Sequence, residues 1–301
     1  MKLSRRIAVL RTVTLQRPPA VIGLLALLAV TRSVAAPSLD EARKLLSARD
    51  LPGAKAAFEQ IAAAEPGNAE AFSSRARVAL ATDDVAAAVT AGEKAVALAP
   101  QNSDYQRRLG DAYGRSAQKA GIFSKLSFAN KCREASEKAV ALDPANLDAR
   151  NALVVYYTQA PSIAGGGLDK AYTQAAEINR LDPNRGRGVT ASLYVHEKKY
   201  AEAFGLYEEI LKASPDDYAA LYQIGRLAAV TGERAERGLA ALTRCLALPV
   251  PDGQPGAAPV QWRIGNLREK LGDKAAARVA YEAALKADPK FAAAAESLKK
   301  L

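Results

Sequence analysis

Residues 258–291 read APVQWRIGNLREKLGDKAAARVAYEAALKADPKF. Two helical stretches lie in this segment, one on either side of Gly272. In the second, Ala277, Tyr281 and Ala284 stand four and three places apart and so share one helical face. Pro289 then stops the second helix, because proline lacks the backbone N–H and its ring collides with the preceding turn. The closing phrase has counterparts upstream: AEPGN (64–68), LAPQN (98–102), LDPAN (142–146), LDPNR (181–185) and ASPDD (213–217), with ADPKF (287–291) the last. Their prolines, Pro66, Pro100, Pro144, Pro183, Pro215 and Pro289, are separated by 34, 44, 39, 32 and 74 residues. The final interval holds two units. Periods of this size are the mark of a solenoid, in which each unit buries its apolar face against its neighbours.

The interior of each unit repeats as well. A small residue stands 12 places before each proline: Ala54, Ala88, Cys132, Ala171, Ala203 and Ala277. A larger side chain often lies eight before it (Phe58, Tyr207, Tyr281), and Ile61, Ala95, Ala139, Ile178, Ile210 or Ala284 lies five before. A second small residue belongs to the preceding helix: Ala42, Ala76, Gly110, Ala152, Ala191, Gly225 and Gly265. Small residues at these points let two antiparallel helices cross closely.

This pattern resembles the tetratricopeptide repeat family, with Leu-Gly and Tyr in the first helix and Ala, aromatic, Ala and Pro in the second. The segment 258–291 is the best match, departing at Arg268, where the family prefers Tyr. Seven repeats are expected, at about 35–68, 69–102, 103–144, 145–183, 184–217, 218–256 and 257–290, with a capping helix at 291–301. The first is degenerate at Glu41, and the sixth ends in PVPDGQPG (249–256). The resemblance implies an all-α, right-handed superhelical solenoid across 36–301, with no room for a separate catalytic domain. It also implies a protein-interaction scaffold whose concave groove, lined by the first helices, holds a peptide or helical segment of another protein. At the family's groove positions stand Arg43, Arg77, Arg107, Tyr156, Tyr157, Tyr222, Arg226, Trp262 and Asn266. Arginine and aromatic residues are the usual anchors of interfaces. The carboxylate clamp of chaperone-binding relatives has no counterpart at matching positions, so capture of a C-terminal carboxylate is not expected. A carbohydrate- or lipid-binding module using Tyr156, Tyr157, Tyr222 and Trp262 as stacking platforms is the alternative.

Composition narrows the chemistry. The 301 residues include one His and two distant Cys, so neither a protein-built metal or haem site nor Cys–His or Ser–His–Asp catalysis has the necessary residues. No cofactor and no enzymatic activity are expected. The formal net charge of +10 is concentrated at the N-terminus, where Lys2, Arg5, Arg6, Arg11, Arg17 and Arg32 precede the first acid, Asp40. Without that segment, 36 basic residues face 32 acidic ones. So balanced a surface gains little from counterion release, and nucleic acid is not an expected partner.

The basic residues 1–19, the apolar run AVIGLLALLAV (20–30) and the small-residue stretch TRSVAA (31–36) follow the order of a secretory signal peptide. The apolar run is too short for the ~20 residues a spanning helix needs. Cleavage is expected after Ala35, making the protein periplasmic or secreted, without a membrane span after cleavage. Ser4-Arg5-Arg6 leaves both general and twin-arginine export open.

Two units are lengthened. Within 114–131, Ile122, Phe123, Leu126 and Phe128 belong to a longer second helix, and Gly165, Gly166 and Gly167 lengthen the turn of the fourth unit. Asp169 is expected to cap the helix that follows. These two insertions lie on one edge, either packing on each other or meeting a partner. Cys132 and Cys245 read as small buried apolar residues too far apart to bridge, and His196 as a structural or surface residue.

Overall fold

The computed structural model describes residues 37–301, so the export signal read in 1–36 lies outside the described residues. Among the described residues there are 15 α-helices and one 3-10 turn, and no strand. Seven antiparallel pairs follow one another: α1 (Leu39–Ser47) with α2 (Leu51–Ala64), α3 (Ala69–Ala81) with α4 (Val85–Leu98), α5 (Ser103–Lys119) with α6 (Ile122–Leu142), and α7 (Leu147–Gln159) with α8 (Leu168–Leu181). Then come α9 (Pro183–His196) with α10 (Tyr200–Ala213), α11 (Tyr218–Thr231) with α12 (Ala235–Ala247), and α13 (Ala257–Lys270) with α14 (Lys274–Ala287). The last helix, α15 (Ala292–Lys300), closes the stack. This is the all-helical solenoid the repeated prolines announce.

Nine of the 15 helices begin where a side-chain oxygen meets their free N–H groups. Asn68, Asn102, Asn146 and Asp217, two places after their prolines, accept from Ala71, Tyr105, Ala149 and Ala220 at 2.8–3.0 Å. Asp50, Asp84 and Asp273 do the same for α2, α4 and α14. The phrase LDPNR breaks the rule because Arg185 replaces the capping residue. There Pro183 is the first residue of α9, and Asp182 both ends α8 and caps α9 by accepting from Arg185 N at 3.0 Å. The expected cap at Asp169 does not form. Gly167 occupies the N-cap of α8 with no side-chain bond, and Asp169 lies inside the first turn, where its charge favours the helix dipole without capping it.

The repeated small residues form the crossings. Ala54, Ala88, Ala171, Ala203 and Ala277 are wholly inaccessible, as are Ala42, Ala76 and Ala191. Gly110 faces Ser136, Gly225 faces Leu242 and Gly265 faces the Tyr281 ring. Ala152 departs from expectation: it lies half-exposed on a recess wall, and Ala149, Arg150, Leu153, Val154, Tyr156 and Tyr157 are the buried residues of α7. Val154, eight places after the N-cap Asn146, is the residue that matches Ala76 and Gly110 after Asn68 and Asn102, and Ala152 lies two places short of it.

Both cysteines are free. Cys245 is buried and Cys132 only partly so; burial pushes both thiols up to about 11. The closing helix works as expected. Ala294, Phe291, Leu298 and Leu301 cover the apolar surface of Tyr281 and Ala284, and Lys299 and Lys300 lie in its last turn.

The turn inside several units has one residue in the left-handed region: Arg49, Asp83 and Lys198, where the last unit has Gly272. A side chain at positive φ costs about 1–2 kcal/mol relative to an ordinary conformation. Lys198 is exposed, with φ 61, and glycine relieves that strain. Lys198→Gly is therefore expected to stabilise the fold by about 0.5–1 kcal/mol, after the extra chain entropy of glycine is set against the relief. Chemical denaturation measures it, and a destabilised variant would count against the strain argument.

Candidate protein-binding groove

The first helices of successive pairs touch one another: α3 with α5, α5 with α7, α7 with α9, and α11 with α13. The second helices do not pack on one another in the same way. A stack held closely on one side and splayed on the other must curve, with its first helices on the inner wall. Two first-helix pairs, α1 with α3 and α9 with α11, pack less closely than the other four, and Gly186 of α9 closes onto Asn179 of α8.

Two recesses open along this wall. The larger, about 1030 Å³, lies between α5, α6, α7 and the Ser162–Ala164 turn. The second, about 800 Å³, lies between α7, α9 and α11. Asn151, Val155 and Gln159 belong to both, so the two form one trough with α7 as its ridge. These three stand four places apart on one helix face.

Four of the charges in the trough form two pairs. Arg107 Nη1 donates to Asp111 at 2.6 Å, and Arg185 donates to Asp148. The Arg185 contact holds the Asp148 carboxyl below the usual range, whereas the recessed position of Asp111 raises its own against the pull of Arg107. Arg108 reaches under α3 to Ser73 at 2.9 Å; burial, then the like charges of Arg77 and Arg107, lowers its pKa.

The residues placed in the groove by their repeat positions are distributed unevenly. Arg107 and Tyr156 line the larger recess. Arg77 is exposed on α3 beside the Arg107–Arg108 cluster. Arg43 ties α1 to α3 through Glu70 and also meets Asp40. Arg226 donates to Gln223 of its own helix at 2.6 Å. Tyr156 and Tyr157 are buried edge-to-face at 5.7 Å, and their hydroxyls are committed to Ala164 O and Glu137. Burial, reinforced by Glu137, pushes the Tyr157 hydroxyl up to about 12. Tyr222 is buried, accepting from Arg263 Nε at 2.9 Å. Trp262 is half-buried against Phe291 and donates to Ser297 of α15 at 3.1 Å, while Asn266 accepts from the Tyr281 hydroxyl at 2.8 Å. These aromatics mostly hold the solenoid together. The buried tyrosines present no open face on which a sugar ring would stack.

Other trough residues carry a weaker signal. Asp111 and Arg115 follow Arg107 at helical spacing, and Asn151, Val155 and Gln159 follow Asp148 at intervals of three, four and four. That periodicity was available in the sequence, but the lengthened turn obscures which side of α7 faces inward. His196 lies exposed at the end of α9, on the second recess.

Seven helix pairs stacked around an inner wall of first helices define a helical-repeat protein with an extended groove. The sequence profile of the tetratricopeptide repeat matches residues 39–103 and again 258–291. Both ends of the described solenoid carry tetratricopeptide repeats, and solenoids of that family mediate protein–protein interaction. Its fold is similar to a tetratricopeptide repeat protein from Parabacteroides merdae: TM-score 0.60, 14% identity, covering 86% of this chain and 95% of that one. It is also similar to the human IFIT1 dimer with m7Gppp-AAAA: TM-score 0.64, 18% identity, covering 87% of this chain and 61% of that one. The Thermus thermophilus protein TTC0263 matches with TM-score 0.53 and 20% identity, covering 68% and 97% respectively. No curated relative matches the sequence.

Proposed function

We propose that the chain is an exported scaffold that holds a segment of another envelope protein in the trough along α7. The observation that carries this reading is the continuity of the two recesses across α5, α7, α9 and α11, which makes a trough for a segment rather than a pocket for one small molecule. Export is supported by the basic, apolar, small-residue order of the first 36 residues. The exported protein is expected to begin near Ala36, leaving about 266 residues. Mass spectrometry of protein from the periplasm or medium tests this, and an intact Met1 there would sink it.

Binding is tested by crosslinked pull-down from the native envelope, with the captured protein identified. Val155 is about half exposed on the ridge of the trough. Val155→Glu combined with Gln223→Glu is expected to weaken capture at least about tenfold, the loss of one or two interface anchors. Helicity should not change. Lys94→Glu, on the outer helix α4, is expected to leave capture intact. Loss of capture with the outer substitution alone would count against the trough.

A further inference from the structure

We propose that the larger recess receives an apolar anchor side chain from the partner segment, and that acidic residues flank that anchor. The inference rests on the trough reading and assigns one part of it a chemistry. The walls are mainly apolar: Leu126 and Ala129 from α6, Val155 from α7, and Ala160, Pro161 and Ala164 from the connection after α7. Leu126 and Val155 remain 47% and 46% exposed although both are large aliphatic residues in a lined recess. Burying them under an anchor side chain removes that apolar surface from water.

The recess is already built. Tyr156 fixes the connection through Ala164 O, and Gly167 N donates to Tyr157 O at 2.9 Å. Gly166 passes so close that an added Cβ would lie 1.8 Å from Ala160 O. A wall held by these contacts needs little ordering when a partner arrives, which favours affinity.

Charge selects the partner. From Ala112 to Arg133 the chain carries five basic residues and no acid; Arg133 is paired with Glu137 and Lys131 lies over the Tyr113 ring, which leaves Arg115 and Lys125 as the ones lining the recess. The carboxylates at the floor, Asp111 and Asp148, are already met by Arg107 and Arg185. Arg115, in the lining, reaches Asp83 only at 3.8 Å, because Lys119, outside the lining, holds that carboxylate at 2.5 Å. Lys125 is exposed and makes no ion pair among the described residues. The mouth therefore has surplus positive charge beside an apolar cavity, which complements an acidic residue next to an apolar one. A flat bilayer has no means of filling a recess of about 1030 Å³, whereas a side chain on a protein segment does.

Panning a random dodecapeptide display library on the full chain tests the proposal. Enriched clones should carry Asp or Glu beside Leu, Phe or Trp. The resynthesised peptides should bind at least about tenfold more weakly to Lys125→Glu with Arg115→Glu, and to Ala129→Trp, which fills the recess. Added salt should weaken them too. The double surface variant keeps the test decisive if Ala129→Trp fails to fold. Enrichment without acids, or no enrichment, overturns the proposal. Binding kept in both recess variants but lost on Gln223→Arg overturns it while the trough reading stands. Loss only on Lys94→Glu defeats both. Sedimentation with phosphatidylserine vesicles that is abolished by Lys125→Glu would reassign the edge to lipid and also overturn the proposal.

Discussion

Phe204→Ala is expected to cost about 3–5 kcal/mol and to uncouple the C-terminal units from the rest. Phe204 is wholly buried in α10, within a cluster that runs from Ala191 through Leu227 and Leu242 to Val260 and Leu267. That cluster joins the last three helix pairs. The guanidinium of Arg234 sits 4.8 Å from the ring centroid, so truncation removes both buried surface and a cation–π contact. A solenoid transmits stability only through adjacent units, and a cavity at one interface weakens the coupling across it. The chain carries a single tryptophan, Trp262 in α13, whose fluorescence reports the last pair, while circular dichroism reports every helix. In the parent protein the two transitions should coincide; in Phe204→Ala they should separate. A loss below about 1 kcal/mol with coincident transitions would show that the ring does not bridge these units.

Gly225→Leu and Gly265→Leu should each cost about 1–3 kcal/mol or more by overpacking, and Gly110→Ala clearly less. An added Cβ at Gly225 would stand 2.2 Å from Leu242, and at Gly265 2.3 Å from the Tyr281 ring. Leu242 and Tyr281 are themselves wholly buried, so neither has solvent to move into. At Gly110 the nearest atom is Ser136 Oγ at 2.9 Å, a hydroxyl that turns about one bond, and Cys132 O follows at 3.4 Å. Thermal midpoints of the three variants measure the order. Equal midpoints for Gly110→Ala and Gly225→Leu would mean that these crossings are equally loose.

Much of this fold was legible in the chain. Prolines in phase mark where second helices end, and Asn or Asp two places later marks where the next helices begin. Ala54, Ala88, Ala203 and Ala277 are buried because their spacing keeps them on the crossing face of every unit. Local periodicity suffices here, since each unit repeats the same two-helix problem with the same small residues. The candidate groove was less legible. Arg107 and Tyr156 were placed by repeat position, but Tyr157 turns into the core and Trp262 goes under the last helix.

Contacts close in the chain therefore fix the seven-pair helical solenoid, its closing helix and its crossing residues other than the one in α7. The tertiary structure alone decided which side of α7 lines the trough, that Pro183 starts α9 instead of standing in a turn, and that the two lengthened units enclose a recess beside Leu126, Val155 and Pro161. Those outcomes depend on helices α5, α6 and α7 meeting across insertions of unequal length. Each insertion rotates or extends a helix by an amount that no periodicity along the chain encodes.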